Sequence, residues 1–426
     1  MEGESLKKRK FDYSWVIVGL CFLMVFTVLG FCSSGKSLYL AAITKALGIS
    51  RSAFSINDSC RYVTTAIVNV FFGGLLLRFG QKKLICAGFI SLIASCLIYS
   101  YAKNIFVFYI GGILLGLGLS WTTTTMVSSI VYKWCHKNQG TIMGAVLASN
   151  GLGAAVSSQI VSPIIYNPDN LFGYQTAYRL VALILAIVAA LVLIFLKETP
   201  KGGAASPVTR KKASSDGWVG IRYSEAVKKP YFYGAAICIF FTGLILQGMS
   251  GVAIPHLNDV GMDASYVATM LSFGSLALAA SKFFTGFIFD RCGLKTTMNI
   301  CLTASVLVMI VLTLVTNSVF GRILAVAYGV LSSIALPLET IMLPLYARAL
   351  FGQRSFDKIL GLFVSINTAG YAVGTPIVNW CFDFFGSYRP AFIASGIVML
   401  VVAISLQFVF KAAEKEKNKI LSEENM

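Results

Sequence analysis

The chain has 426 residues, of which 57% are hydrophobic and only 12% charged, and its mean hydropathy is +0.77. No water-soluble core of this size needs so much apolar sequence, so the solvent of this chain is lipid and a large soluble domain is excluded. The net charge of +17 would suggest nucleic acid if basic residues clustered on one folded surface, but they fall in short loops and at the termini.

Twelve apolar segments follow one another along the chain, each near the roughly 20 residues that cross a bilayer. The first is too long for the apolar part of a signal peptide, although a basic N-terminus precedes it. The ten cysteines lie mostly inside such segments without a CxxC pair, which favours packing roles over disulfides. The predicted membrane-spanning helices, numbered spans 1 to 12, are 15–35, 54–77, 84–101, 104–132, 140–165, 174–196, 231–255, 266–288, 296–316, 319–347, 358–382 and 390–410.

The longest interruption, 197–230, is rich in glycine, proline, serine and basic residues, as flexible linkers are. It separates six spans from six. The predicted organisation is an N-terminal tail (1–14), a first six-helix bundle (15–196), the linker (197–230), a second bundle (231–410) and a C-terminal tail (411–426).

The positions of lysine and arginine predict the orientation, because basic residues near helix ends stay preferentially in the cytoplasm. With both termini cytoplasmic, 26 of the 35 basic residues fall on that side and eight, Arg61 among them, on the other. Only Lys282 is left within a span. The sequence therefore predicts a multi-pass protein of a plasma or bacterial inner membrane with both termini in the cytoplasm.

Two stretches of the first half recur in the second, as in carriers built from repeated bundles. Residues 73–82 (GGLLLRFGQK) match 286–295 (GFIFDRCGLK), and 144–156 (GAVLASNGLGAAV) match 361–373 (GLFVSINTAGYAV). In the first pair the glycines allow close helix approach and a tight turn, and the acid can accept hydrogen bonds from a helix N-terminus or pair with arginine. The residues predicted to form these gating loops are Gly73, Arg78 and Gly80 in the first copy and Gly286, Asp290, Arg291 and Gly293 in the second.

Two charged residues fall well inside the later spans. A lysine at the bilayer centre costs about 2.5–3.5 kcal/mol on insertion scales, so Lys282 in span 8 is expected to face inward, toward an acidic or anionic partner, unless it snorkels or forms a fixed structural pair. Glu339 in span 10 could pair with Lys282, carry a proton, or buttress the helix between Pro337 and Pro344.

The loop motif resembles the signature of the major facilitator superfamily, and the similarity runs through nearly the whole chain. Leu77 stands where that family has aspartate in the first copy, so closure on the cytoplasmic side is expected to depend on Asp290. Further stretches resemble the monocarboxylate transporters and oxalate/formate exchangers: GKS around Lys36, GISRSAFS (48–55), KWCHKNQGTIMGAVLASNGLG (133–153), PHLNDVG (255–261) and the pair Glu339 and Thr340.

This resemblance implies a functional lysine at Lys36 and a substrate-binding cation at Lys282. Three departures bear on mechanism: Leu278 replaces an aspartate that accepts protons in some relatives, span 11 lacks a lysine, and lysine stands for the usual arginine. A lysine lacks the bidentate fork of arginine, which favours a single carboxylate over a dicarboxylate. Proton coupling and exchange both remain open. Other candidates for substrate contact are Trp121, Asn150, Gln247, Asn367 and Tyr371, each of which could equally be a packing residue.

The sequence thus predicts an all-α protein of the major facilitator fold, with twelve helices in two pseudo-symmetric bundles. The expected function is secondary transport of a small organic anion, best a monocarboxylate, by alternating access. The alternative is an exporter of drug-like or other small solutes, and a receptor is disfavoured because it would not require two homologous halves. A membrane enzyme is disfavoured because the only histidines, His136 and His256, lie near loops on opposite sides. We expect no metal, no cofactor and no nucleic-acid partner. The expected partners are the bilayer and, as a candidate coupling ion, protons; the sequence does not determine the oligomeric state.

Overall fold

The computed structural model describes residues 13–34, 36–49, 51–135, 137–165, 172–197 and 220–424. In these ranges every regular element is a helix, apart from a single bridge between Gly220 and Gly352. The predicted all-α membrane fold is therefore confirmed. Most of the predicted linker, 198–219, lies outside the described residues.

The first half contains spans 1 to 6. Span 1 is continued by a π-helical turn and a further helix, and spans 2 and 4 are each broken once. The helices are Ser14–Leu29, the π-turn Gly30–Ser34, Lys36–Leu47, Arg51–Val70, Phe72–Phe79, Gln81–Tyr101, Ile105–Thr122, Thr124–Trp134, Gln139–Ile165 and Gly173–Phe195.

The second half contains spans 7 to 12, preceded by one short helix of the linker. Span 10 is interrupted by a 3₁₀ turn. The helices are Tyr223–Ala226, Pro230–Asp259, Ala264–Leu314, Val319–Ala335, the 3₁₀ turn Leu336–Glu339, Met342–Phe351, Phe356–Phe385 and Arg389–Glu424.

The helix Ala264–Leu314 holds two spans. A straight helix of its 51 residues would be roughly 77 Å long, more than twice the thickness of a bilayer core. Gly293 breaks it with φ 77° and ψ 177°, which turns the chain back into the membrane. The two legs of this helix are counted as separate spans, and the two halves of span 2, which meet at 62°, are counted as one span. With this count, the described residues form the twelve predicted spans.

The internal repeat is visible in the backbone. Gly80, the partner of Gly293 in the sequence match, has φ 78° and ψ 166°, the same unusual conformation at the same turn. Positive φ of this kind is costly for any residue with a Cβ atom. Two glycines 213 residues apart thus form the same turn in each half, in agreement with the predicted duplication.

The halves meet along two pairs of spans, and these contacts lie from mid-membrane to one end of the bundle. We call this the basic end; it carries the turns at 79–81, 137–138, 292–294 and 352–355. Gly286 of span 8 lies against the backbone of Gly140 in span 5, and Gly73 of span 2 lies against Lys358 in span 11. Glycine lets helix backbones approach this closely, because there is no side chain between them.

Two helices depart from the sequence prediction. Lys36–Leu47 was expected to be loop, but it continues span 1 beyond the π-turn. Span 12 was expected to end at 410, yet the helix runs on to Glu424, where Glu416 pairs with Lys229 at the start of span 7. Hydropathy marks where a helix leaves the membrane, and it does not mark where the helix ends.

We predict that Gly286→Ala lowers thermal stability, because its methyl group would overlap the Gly140 backbone. Such overpacking costs about 1–3 kcal/mol. Gly274→Ala in the same helix is the matched control, since the nearest atom to its new Cβ is 3.8 Å away. Unfolding temperatures of the purified variants measure the difference; equal temperatures for both would contradict the tight contact.

Candidate substrate and coupling site at the seam between the halves

Lys282 lies in span 8, four residues before Gly286, and is buried, with 6% of its surface exposed. Its carbonyl oxygen would be 2.6 Å from a Cβ atom on Gly144 of span 5, so this part of span 8 belongs to the seam between the halves. Among the described residues no group forms a hydrogen bond with its ammonium group. The ion pairs between described residues do not include Lys282; they are Arg61–Asp58, Lys133–Asp357 and Lys229–Glu416. Lys282 is therefore a cation held inside the bundle without a direct ion pair.

Glu339 is the acidic residue that interacts electrostatically with Lys282. It ends the 3₁₀ turn that breaks span 10, and 8% of its surface is exposed. The two charges are close enough to act on each other, and the Tyr371 hydroxyl of span 11 lies within reach of the carboxylate. The carboxylate oxygen Oε1 has no hydrogen-bond partner. A buried acid with one unsatisfied oxygen is suited to take up a proton or a ligand donor.

Tyr371 also reaches the other half. Its ring meets that of Tyr62 in span 2 edge to face, with centroids 5.8 Å apart and an interplanar angle of 79°. The neighbouring Ser365 donates a hydrogen bond to the Ala66 carbonyl of the same span. The polar groups around Glu339 thus continue across the seam into the first half.

A second buried charge pair lies beyond Tyr62. Arg61 is 6% exposed, its guanidinium donates to Ser33 Oγ at 3.0 Å, and it pairs with Asp58 at 3.2 Å. Its Cζ atom lies 4.5 Å from the centre of the Tyr62 ring. Assigning Arg61 to the outer side of the membrane was wrong. Opposite charges three residues apart within a predicted span were the signal that could have indicated a buried pair.

The other candidate residues are more dispersed. The side chain of Lys36 lies outside the described residues. Asn367 is buried and donates to the Ile239 carbonyl of span 7, so it joins two helices of one half. Trp121 is half-buried in span 4 close to Gly88 of span 3, and its indole nitrogen has no hydrogen-bond partner. Asn150 and Gln247 are half-buried.

A cavity of about 180 Å³ lies on the side of Lys282 and Glu339 away from the basic end. It reaches Leu278 and Leu336, which precede Lys282 and Glu339 by about one helical turn on the same faces. Its lining from spans 7, 8 and 10 is mostly apolar, with hydroxyl groups from Ser250, Tyr328, Ser332 and Ser333. The two charged residues are thus placed beyond the inner end of a mixed apolar and hydroxylated cavity.

At the basic end, Asp290 caps the first turn of span 5. Its carboxylate accepts hydrogen bonds from the Gly140 nitrogen at 2.9 Å and from the nitrogen and hydroxyl of Thr141 at 2.6 and 2.7 Å. An acid at a helix N-terminus satisfies unpaired N–H groups and complements the helix dipole. The helix-capping role considered for this acid is found, and the pairing with arginine is not: Arg291 lies over the Phe287 ring, at 4.3 Å.

The first copy of the loop closes differently. Leu77 is 75% exposed and lines a cleft with Asp357 and Lys358 of span 11, where it cannot accept a hydrogen bond. The link between the halves here is the pair Lys133–Asp357, with 3.8 Å between charged atoms. Arg78 lies over the Phe79 ring at 5.4 Å, as Arg291 lies over Phe287.

Arg348 adds a further contact across the seam. Its guanidinium lies over the ring of Tyr132, a residue of span 4, with 4.7 Å from Cζ to the ring centre. Tyr132 in turn packs edge to face on Phe356 at the start of span 11. The basic end is therefore closed by several separate contacts between the halves.

Comparisons with known proteins agree with this architecture. The family model described as Major Facilitator Superfamily matches residues 16–251 and 235–425. The chain is 25% identical to the "Uncharacterized MFS-type transporter YcxA" of Bacillus subtilis (strain 168) over 62% of this chain and 64% of that protein, slightly under two thirds of its length. It is 25% identical to the "Proton-coupled antiporter flippase LtaA" of Staphylococcus saprophyticus over 95% of this chain and 96% of that protein.

Among solved structures, the fold matches the fucose:proton symporter FucP of E. coli with a TM-score of 0.71 and 16% identity, covering 93% of this chain and 99% of that one. A structure of FucP in the outward conformation gives a TM-score of 0.68 at 14% identity, with the same coverage. With a family model matching both halves, twelve spans in two repeated bundles and a polar site at the seam, the chain belongs to the Major Facilitator Superfamily and is a membrane transporter.

Proposed function

We propose that this transporter moves a small organic anion, best a monocarboxylate, by alternating access, with the carboxylate bound at Lys282. The observation that carries the proposal is the buried ammonium of Lys282, which lies at the seam without a direct ion pair. A cation in this position attracts an anion and disfavours a cationic solute. The cavity that begins about one helical turn away, at Leu278, has apolar and hydroxylated walls that suit a short organic chain.

Proton coupling is part of the proposal, with Glu339 as the carrier. Leu278 stands where some monocarboxylate carriers have a proton-accepting aspartate, whereas Glu339 is buried beside both Lys282 and Tyr371. The similarity to proteins named proton-coupled antiporters supports coupling to protons. When an anion arrives at Lys282, protonation of Glu339 would restore the charge balance of the buried site.

A second candidate is proton-coupled antiport of a larger amphipathic solute. The observation in its favour is the similarity to LtaA, named a flippase, over nearly the whole length of both proteins. Counterflow in proteoliposomes separates the two: labelled formate, lactate or pyruvate should exchange under the first proposal, and only an amphipathic solute under the second.

In the proposed orientation the basic end is cytoplasmic, with both termini on that side. The contacts of Asp290, Lys133 and Arg348 then hold the cytoplasmic side closed in this conformation. Each of them is modest, about 1 kcal/mol for a helix cap or less for an exposed ion pair. Their sum can be overcome when substrate binding favours the opposite state.

We predict that Asp290→Asn weakens closure of the basic end. The amide keeps one acceptor oxygen but loses the charge and the second acceptor, a loss of about 1 kcal/mol, or roughly a fivefold larger open population. Labelling of a cysteine introduced at Ser365, in a cysteine-free background, reports the opening. Leu77→Asn is the control and should not change labelling; equal effects of both substitutions would contradict the asymmetry.

Glu339→Gln should abolish uptake driven by a pH gradient and leave counterflow intact, because exchange of bound anions needs no net proton movement. The measurement is labelled carboxylate uptake in proteoliposomes with and without an imposed gradient. Asp383→Asn, a surface acid of span 11, is the control. Uptake that still follows the gradient in Glu339→Gln would show that the proton moves by another route.

Lys282→Met should fold and lose anion binding by at least roughly tenfold, since one charge-assisted hydrogen bond is removed while the apolar stem is kept. Lys282→Arg should retain part of the affinity, because charge persists with altered geometry. Binding is measured as thermal stabilisation by formate, acetate, lactate, pyruvate and succinate. Lys295→Met, an exposed lysine, is the control. Unchanged carboxylate affinity in a well-folded Lys282→Met protein would contradict the proposed carboxylate site.

A further inference from the structure

Arg61 has more hydrogen-bonding capacity than its neighbours use. A guanidinium carries five N–H donors. One amino group of Arg61 donates to Ser33 and the other pairs with Asp58, while the buried Nε atom has no hydrogen-bond partner among the described residues. A buried donor left without an acceptor is costly, on the order of 1–3 kcal/mol, and a ligand oxygen would relieve that cost.

The pair is also placed where a ligand can reach it. The side chain of Asp58 is 34% exposed, although it lies within span 2, in the first part of the helix Arg51–Val70. A carboxylate that faced lipid would be strongly destabilising, so this open side is expected to face a water-filled cavity. Ser33 belongs to the π-helical turn Gly30–Ser34, a backbone irregularity that is frequent at functional sites.

Aromatic rings connect this pair to the site in the second half. The Arg61 guanidinium lies over Tyr62, the Tyr62 ring meets Tyr371 across the seam, and Tyr371 reaches Glu339 beside Lys282. The charge of Glu339 acts on Tyr62 itself. Each half therefore contributes one cation with one acid, and the rings of Tyr62 and Tyr371 connect the two across the seam.

We propose that Arg61 is a second anion-binding residue, so that the transported anion is held between a cation of each half, Arg61 and Lys282. This inference rests on the proposed anion site at Lys282. Asp58 is the resting counter-ion of Arg61 and competes with the substrate for it. A ligand that contacts both halves binds the occluded state more tightly than either open state, which is the differential affinity that alternating access requires.

A purely structural role for the pair makes different predictions. If Arg61 only neutralises Asp58 and ties span 2 to span 1, removing either partner should reduce stability, and removing both should restore it together with anion binding. If Arg61 binds the anion, the two single substitutions should change affinity in opposite directions. The double substitution should then fold without regaining affinity.

The test compares Arg61→Gln, Asp58→Asn and the double variant Asp58→Asn with Arg61→Gln, all as full-length protein in detergent. The probes are formate, acetate, lactate, pyruvate and succinate, and the readouts are the unfolding temperature without ligand and its rise with probe concentration. We expect roughly tenfold or greater weakening for Arg61→Gln and for the double variant, and tighter binding for Asp58→Asn. Lys295→Met controls for a general effect of lost positive charge.

The outcomes separate this inference from the proposed function. If Lys282→Met weakens binding but the well-folded double variant binds like wild type, Arg61 is structural and the inference is overturned. If no probe stabilises the wild type, or Lys282→Met leaves binding unchanged, the anion site itself fails and the inference fails with it. Weakened binding in both Lys282→Met and the double variant, with tighter binding in Asp58→Asn, supports both.

Discussion

The cost of burying charge in a membrane governs this structure. Arg61 and Lys282 are both almost fully buried within spans, and each has an acid close to it, Asp58 in the first half and Glu339 in the second. A nearby acid seldom adds much net stability to a buried cation, because desolvation offsets the attraction. Under the proposed anion transport, these charged residues serve substrate binding rather than folding.

Irregular backbone accompanies both pairs. The π-turn Gly30–Ser34 supplies Ser33 to Arg61, and the 3₁₀ turn Leu336–Glu339 carries the acid beside Lys282. Helix breaks leave backbone polar groups unpaired, so in a bilayer they occur only where protein or a water-filled cavity surrounds them. Each of the two breaks lies beside a buried charged residue, inside the protein and away from lipid.

The sequence could predict features set by local period and by turn chemistry. The twelve spans follow from the length of the apolar segments. The repeated turns at Gly80 and Gly293 follow from the need for a residue that tolerates positive φ. The helix cap by Asp290 follows from an acid that lies near a helix start. The direction in which a side chain points across a packed interface depends on tertiary contacts, which no local pattern contains. Arg61 was misplaced for that reason, and Asn367 joins span 7 although it lies only four residues from Tyr371.

Closure of the basic end and the proposed substrate binding involve the same helix, span 8. Span 8 carries Lys282 and, within its next two turns, Gly286 against span 5 and Asp290 on the N-terminus of that span. A shift of span 8 that accommodates an anion at Lys282 must therefore act on the glycine contact and on the cap together, since a helix transmits displacement along its axis as a rigid element. The first half lacks an acid at Leu77 and relies on the ion pair Lys133–Asp357, which solvent and salt weaken. The fold is symmetric, but the half that carries Lys282 also carries the stronger closing contact. The proposed substrate binding at Lys282 would therefore be coupled most directly to the seam between spans 5 and 8.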